Sequence, residues 1–272
     1  MTTLTLSTGG EMNAALGGRA DISGDDPVVV LVHGAAMDRT VWQMQTRYLA
    51  HRGYRVVALD LPGHGRTGGN PLPSVEANAE WLAGAIAGLD AGPVHLGGHS
   101  LGSFIVLHLA ATNPELVRSL LLFGIADAMP VHPKLMEAAQ ANDPLAGQLM
   151  SGWALSTDSK VGRHSSPGSS MVGGTQALIE SADPGVLAND LGASSSYEGA
   201  VEAASKVQAP TTLILGSADK MTPVRNAKGL MEALEDGPAA LRTEVIDGCG
   251  HMMTLEAPAQ VRTILKRVLA DA

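Results

Sequence analysis

Short apolar runs alternate along the chain with longer segments whose apolar residues recur every three or four positions. The runs Val28–Val32, Arg55–Leu59, Val94–Leu96, Ser119–Phe123, Thr212–Leu215 and Arg242–Ile246 have the length of strands. Their near-continuous apolar character predicts strands covered on both faces. The segments Val41–His51, Val75–Leu89, Leu101–Thr112, Val224–Leu234 and Ala259–Leu269 predict helices, each followed by a strand or by the last residues given. Strand and helix in regular alternation predict an α/β fold: a mostly parallel, doubly wound sheet with helices on both faces. The initial run Thr3–Ser7 predicts an antiparallel edge strand, and no internal repeat is visible.

The alternation breaks between Ala126 and Lys206. Here helical fragments such as Pro133–Met150 mix with Gly- and Ser-rich loops, including Ser165-Ser166-Pro167-Gly168-Ser169-Ser170. The expected organisation is therefore one core domain, 1–125 with 207–272, interrupted by a helical cap insertion over 126–206. Such a segment opens at low free-energy cost and excludes water when it closes. An ordinary surface elaboration is the plainer alternative, and pattern alone leaves it open.

Candidate chemistry concentrates at Gly98-His99-Ser100-Leu101-Gly102, a Gly-x-Ser-x-Gly pattern entered by the strand Val94–Leu96 and left by the helix Leu101–Thr112. A serine on so sharp a turn takes a strained backbone conformation, and the residues two positions either side must be small. Gly98 and Gly102 supply that, which makes Ser100 the candidate nucleophile. A hydroxyl needs a base. His251, in Gly248-Cys249-Gly250-His251, follows the last strand and precedes the final helix, at the sheet edge where the serine turn also opens. His99 is expected to point away from the nucleophile, and His108, in the helix after the turn, to be buried or packed. His51, His95, His132 and His164 have no motif around them and read as structural or solvent-exposed.

The base needs an acid that fixes its tautomer without itself becoming protonated. Asp219 follows the penultimate strand and is favoured. Asp127, beyond the strand Ser119–Phe123, is a rival that sequence leaves open. Charge developing on an attacked carbonyl oxygen needs backbone N–H donors. Leu101, just after the serine, offers one; His33-Gly34-Ala35-Ala36, after the strand Val28–Val32, offers a second at Ala35, with the His33 side chain bracing the loop.

These motifs resemble the α/β-hydrolase superfamily in its esterase, lipase-like and cofactor-free haloperoxidase-like branch. The resemblance spans nearly the whole chain. It rests on His33-Gly34, Asp60-Leu61-Pro62-Gly63-His64-Gly65, the turn at Gly98–Gly102, the stretch from Asp219 to Pro223, and Gly250-His251. It implies the α/β-hydrolase fold, the chain order Ser, Asp, His, and hydrolysis of a small carboxylic ester through an acyl-enzyme without a cofactor. Ser100 stands where a dehalogenase or epoxide hydrolase of this fold carries aspartate. Carbon–carbon cleavage beside a ketone, lactone opening and perhydrolysis use the same constellation and stay open, as does a non-catalytic homologue that only binds a ligand.

Composition narrows the partners. The net charge of −9 and the lack of a basic run argue against nucleic acid and anionic membrane surfaces, and no apolar run reaches the roughly 20 residues that span a bilayer. One cysteine, Cys249, and a start without a basic, apolar leader suggest a cytoplasmic protein with a small-molecule substrate, and a homo-oligomer stays open. No metal is expected: His95 and His99 are four apart across a strand and a turn, where that spacing does not align ligands. Gly63-His64-Gly65-Arg66-Thr67-Gly68 imitates a dinucleotide fingerprint, but Gly69-Asn70-Pro71 follows where the phosphate-binding helix should start. Cys249 reads as a small buried residue. Met37, Met129, Met221 and Met252 flank the predicted site, so an apolar, adaptable pocket without a fixed charge is expected, probed by an apolar ester.

Overall fold

The structure is a computed structural model describing residues 2–5, 11–164 and 168–271. Leu6 and Ser7 of the initial run, and Ser165, Ser166 and Pro167 of the Gly- and Ser-rich loop, lie outside the described residues.

Among the described residues eight strands form one sheet: β1 (Thr2–Thr5), β2 (Glu11–Ala15), β3 (Val28–Val32), β4 (Arg55–Leu59), β5 (Val94–His99), β6 (Val117–Phe123), β7 (Thr211–Gly216) and β8 (Leu241–Ile246). Their spatial order is β1-β2-β4-β3-β5-β6-β7-β8. β1 and β2 run antiparallel, and β4 to β8 are parallel with β3. The helices are α1 (Gln43–Ala50), α2 (Val75–Gly88), α3 (Leu101–Thr112), α4 (Pro133–Gln140), α5 (Leu145–Ala154), α6 (Thr157–Lys160), α7 (Met171–Glu180), α8 (Val186–Ser196), α9 (Ala200–Lys206), α10 (Lys228–Glu235), α11 (Met253–Glu256) and α12 (Pro258–Ala270). The chain has the α/β-hydrolase fold.

The two faces of the sheet explain the continuous apolar runs. Val28, Val30 and Val32 of β3 join a core with Leu82 of α2, Phe104 of α3 and Leu230 of α10. Val29 and Leu31 face the other way, into a core with Leu49 of α1 and Leu265 of α12. β6 divides likewise, Leu120 and Leu122 to the first face and Leu121 and Phe123 to the second. Because both sets of alternate residues are buried, the period of two is invisible in hydropathy.

Three local readings change. β2 had no apolar run to reveal it: only Met12 and Ala14 are buried, and it meets β4 over just two residue pairs. β8 is an edge strand paired only with β7, and Arg242, Thr243 and Val245 are exposed, so it is not covered on both faces. The helices predicted at Val41 and Val224 begin as 3-10 turns, Arg39–Trp42 and Val224–Ala227, the first capped by Asp38 Oδ1 accepting from Thr40 N at 2.7 Å.

The topology sets the position of the site. From β3 the chain moves to β4 on one side and then crosses to β5 on the other. The loops leaving β3 and β5 thus diverge and leave a crevice at the carboxyl ends of the strands. The stretch expected as a cap holds α4 to α9, and α4, α5, α7 and α8 contribute walls to a cavity above that crevice. Among the described residues no helix is long and apolar enough to cross a membrane.

Candidate active site

Ser100 sits between β5 and α3 with φ 56° and ψ −120°, a conformation an L-residue adopts only when its surroundings hold it there. The flanking glycines are required by close approach. A Cβ on Gly98 would overlap the carbonyl of Gly102, and one on Gly102 would lie 2.5 Å from His33 O and 2.6 Å from Val32 O. The turn is held from behind by Ser100 N–H donating to Phe123 O (2.9 Å) and by Ser103 Oγ donating to Gly98 O (2.7 Å).

Ser100 and His251 line one cavity of about 300 Å³, and Asp219 stands behind His251. His251 Nδ1 lies 2.7 Å from Asp219 Oδ2 and 3.1 Å from Thr222 Oγ1, while its Nε2 is buried and has no hydrogen-bond partner among the described residues. Asp219 Oδ1 accepts from Met221 N (2.8 Å) and Thr222 N (2.9 Å), and Oδ2 accepts from Thr222 Oγ1 (2.7 Å). Burial by itself would raise the Asp219 carboxyl, but the His251 ring and the Thr222 donors outweigh it and hold it well below the usual carboxylate range. Asp127, the rival, is committed elsewhere: its oxygens accept from Gly229 N (3.0 Å) and Leu230 N (2.7 Å), capping α10.

The loop after β3 borders the serine. A Cβ on Gly34 would stand 3.2 Å from Ser100 Cβ, and Ala35 lines the cavity, while Leu101 begins α3. His33 Nδ1–H donates to Gly34 O (2.9 Å) and its Nε2 accepts from Leu61 N (3.1 Å), so the ring braces this loop from inside. Burial and the neighbouring His64 lower His33 to about 4, which keeps it neutral in that role.

Several residues around the site escaped the sequence. His99 does not point away from it: Nε2–H donates to His251 O at 2.9 Å, and the two rings lie 4.8 Å apart. Burial, aided by the His251 ring, lowers His99 to about 3. Glu256 accepts from Met252 N (3.2 Å) and Ser156 N (2.9 Å), and His251 N–H donates to Ala154 O (2.6 Å), so the His251 loop is stapled to the junction of α5 and α6. His132, expected to be structural or exposed, is solvent-exposed but lines the cavity and stacks near Trp153, with ring centroids 5.5 Å apart. His95 instead pairs with Ser119 Oγ inside the sheet at 2.7 Å. Such contacts join segments far apart in sequence, and no local signal announces them.

Met37, Met129, Met221 and Met252 all line the cavity, together with Met150, Leu135, Ile179 and Leu191. The expectation of a wall without fixed charge does not hold, because Lys220, next to Asp219, belongs to it; among the described residues no carboxylate does. Cys249 is buried, and burial pushes its thiol up, away from the nucleophilic thiolate. Residues 63–68 form a loop, and no helix follows before Val75. Among the described residues no cluster of three or more His, Cys, Asp or Glu side chains could hold a metal ion.

Known proteins resemble this chain in sequence and fold. The sequence model of the alpha/beta hydrolase family matches residues 29–264. The chain is 35% identical over 96 residues to an (E)-2-((N-methylformamido)methylene)succinate hydrolase of Acinetobacter baylyi, covering 35% of this chain and 36% of that protein. It is 28% identical over 261 residues to a pimeloyl-[acyl-carrier protein] methyl ester esterase of Aromatoleum aromaticum, covering 89% of this chain and 98% of the relative. Several other curated relatives are matched over only 38% to 50% of their length. The structure superposes on the enol-lactonase of Burkholderia xenovorans with TM-score 0.83 and 18% identity, over 99% of this chain and 100% of that one. A family match that runs from β3 to β8, on a fold with the serine turn at its switch point, establishes that this chain belongs to the alpha/beta hydrolase family.

Proposed function

We propose that this protein is a serine hydrolase that cleaves a small carboxylic ester through an acyl-enzyme, with Ser100 as nucleophile, His251 as general base and Asp219 as the acid that orients it. The observation that carries the reading is the state of His251. Nδ1 is committed to a carboxylate with a lowered pKa, and the opposite nitrogen is buried and unpaired at the cavity that Ser100 lines. A proton on Nδ1 leaves the lone pair on Nε2, the tautomer that accepts a proton from a serine hydroxyl. No bond from Ser100 to that nitrogen is needed before substrate enters, since such contacts often tighten only in the Michaelis complex.

The steps follow from that tautomer. Ser100 Oγ attacks the ester carbonyl as its proton passes to His251 Nε2, and the charge on the carbonyl oxygen is met by the N–H groups of Ala35 and Leu101 and by the N-terminal end of α3. The tetrahedral intermediate collapses, the C–O bond to the alcohol breaks, and His251 returns the proton to the departing oxygen. Water, deprotonated by the same nitrogen, then attacks the acyl-enzyme and releases the acid and free Ser100. The helices of residues 126–206 act as a cap that shields these steps from water. The ester as substrate is supported by the methyl ester esterases among the relatives.

The test is turnover of a panel of short aryl esters, with lactones and β-diketones beside them, combined with fluorophosphonate labelling mapped by peptide mass. A single label on Ser100, and loss of both label and turnover in Ser100→Ala with unchanged circular dichroism, is the expected result. Labelling elsewhere with Ser100 untouched would sink the mechanism.

A further inference from the structure

α8 reaches down to the loop after β3 through one buried carboxylate. Asp190 Oδ2 accepts from Ala36 N at 2.8 Å and lies 2.8 Å from His64 Nε2. The side chains of His64 and Asp190 are 2% and 3% exposed, so this contact lies away from water. The other ring nitrogen, His64 Nδ1, lies 2.9 Å from Pro62 O. Both nitrogens therefore face acceptors only, and a ring that donates from both is an imidazolium.

Ala35 lies between two pinned peptide planes. The Gly34–Ala35 peptide carries Gly34 O, which accepts from His33 Nδ1–H at 2.9 Å, and in a trans peptide the N–H of Ala35 points opposite to that carbonyl. The next peptide carries the Ala36 N–H, which Asp190 holds. Ala36 itself has φ 50°, a left-handed conformation that costs a non-glycine residue and persists only under restraint. His33 restrains the loop from the core side, and Asp190 restrains it from α8.

We infer that Asp190 is a positioning residue of the hydrolase: by bridging the Ala36 N–H and the His64 ring it holds the loop that aims the Ala35 N–H at the substrate oxygen. The inference rests on the reading of Ser100 and Ala35 given under the proposed function. It makes the oxyanion site depend on the helical layer: α8 must be seated for the loop to be set. Asn189 helps seat it, its Nδ2 donating to Leu72 O at 2.8 Å.

The charge on His64 belongs to the device. Burial alone would lower His64, but the bond to Asp190 and its charge outweigh that and raise it from its ordinary value. The ionisable groups facing it are Asp190 from α8, His33 from the end of β3, held neutral by burial, and Asp60 after β4, which is itself paired with Arg39 and accepts from Arg66 N.

The experiment compares wild type, Asp190→Ala and Asp190→Asn, with active sites counted by the endpoint of fluorophosphonate labelling. It measures kcat per labelled site, KM, affinity for an aryl trifluoromethyl ketone that forms an oxyanion on Ser100, and the titration of His64 by imidazole nitrogen NMR. Loss of an oxyanion donor costs about 10²–10³ in rate. Asp190→Ala is expected to lower kcat per site about 10²-fold with KM nearly unchanged, and to weaken the ketone in parallel, because that contact exists only once the oxyanion forms. Asp190→Asn keeps an acceptor for the Ala36 N–H and should recover most of kcat, while His64 titrates at lower pH than in wild type. Unchanged kcat per site and unchanged ketone affinity in Asp190→Ala would overturn the inference, even with a lowered Tm. Should that variant fail to fold, an Asn variant whose His64 titration and pH–rate profile match wild type would overturn it as well. Failure of wild-type Ser100 to label would instead strike the proposed mechanism itself.

Discussion

His99 donates from Nε2 to the backbone carbonyl of His251 at 2.9 Å, so the residue beside the turn serine ties the serine turn to the loop of the opposite histidine. The bond spans 152 residues of sequence and lies wholly in the interior, with His99 fully buried. Ser100 and His251 thus share a mechanical link that is independent of substrate.

That link gives a pH dependence of stability. Burial lowers His99 to about 3, and His33 and His95 to about 4, against 6.5 in the unfolded chain. The unfolded state therefore binds more protons between those values, and the stability these groups contribute is present above pH 6.5 and lost as pH falls toward 4 and 3. Asp219, also lowered, adds loss in the same direction at still lower pH; His64, raised, contributes stability below 6.5 that is lost as pH rises through its folded pKa. Tm measured from pH 8 to pH 4 should fall on the acid side, and His99→Gln should flatten that fall. An acid limb as steep in His99→Gln as in wild type would assign it to other groups.

Asp219 and Asp127 should separate cleanly. Asp219→Asn offers His251 the wrong hydrogen-bond partner, and the comparable change in a serine protease lowers kcat about 10⁴-fold. Asp127→Ala removes two acceptors from the start of α10 and should cost about 1 kcal/mol of stability, as lost helix caps do, with kcat retained. Urea unfolding and ester kinetics on both variants check this; a large kcat loss at Asp127 with a small one at Asp219 would reverse the assignment.

Gly102→Ala tests the turn. The added methyl would press on the backbone of Val32 and His33, which has no flexible end to yield. Overpacking of this kind costs about 1–3 kcal/mol, and the displaced β3 loop should take ester turnover with it. Full activity at wild-type Tm would show that the close packing of α3 on β3 is not required.

Lys220 predicts a substrate preference. Among the described residues it is the one lysine or arginine in the cavity wall, and no aspartate or glutamate lines that wall, in a chain with net charge −9. An ester with a carboxylate at its far end should be hydrolysed with a KM severalfold lower than a matched neutral butyrate, and Lys220→Met should abolish the difference without lowering kcat on the neutral ester. Equal KM values in wild type would remove Lys220 from recognition.

The sequence by itself determined the α/β alternation and the serine turn. Val28–Val32 and Arg55–Leu59 coincide with β3 and β4, and Leu101–Thr112 coincides with α3, because strands buried on both faces and a helix buried nearly all round leave continuous apolar runs that composition cannot hide. Gly98, Ser100 and Gly102 are legible because the constraint is local: strand, turn and helix follow one another within a few residues, and the crowding between Gly98 and Gly102 is decided there. β2 was not legible, since a short strand with two buried side chains needs its neighbours β1 and β4 to define it. Only the tertiary structure decided between Asp219 and Asp127 as the partner of His251, put Lys220 in the cavity wall, and joined Asp190 to Ala36, 154 residues away, and Glu256 to Ser156, 100 residues away. Hydrophobic periodicity encodes which face of an element is buried, but a polar contact between two loops depends on where the sheet order carries their ends, and that order is a property of the whole chain.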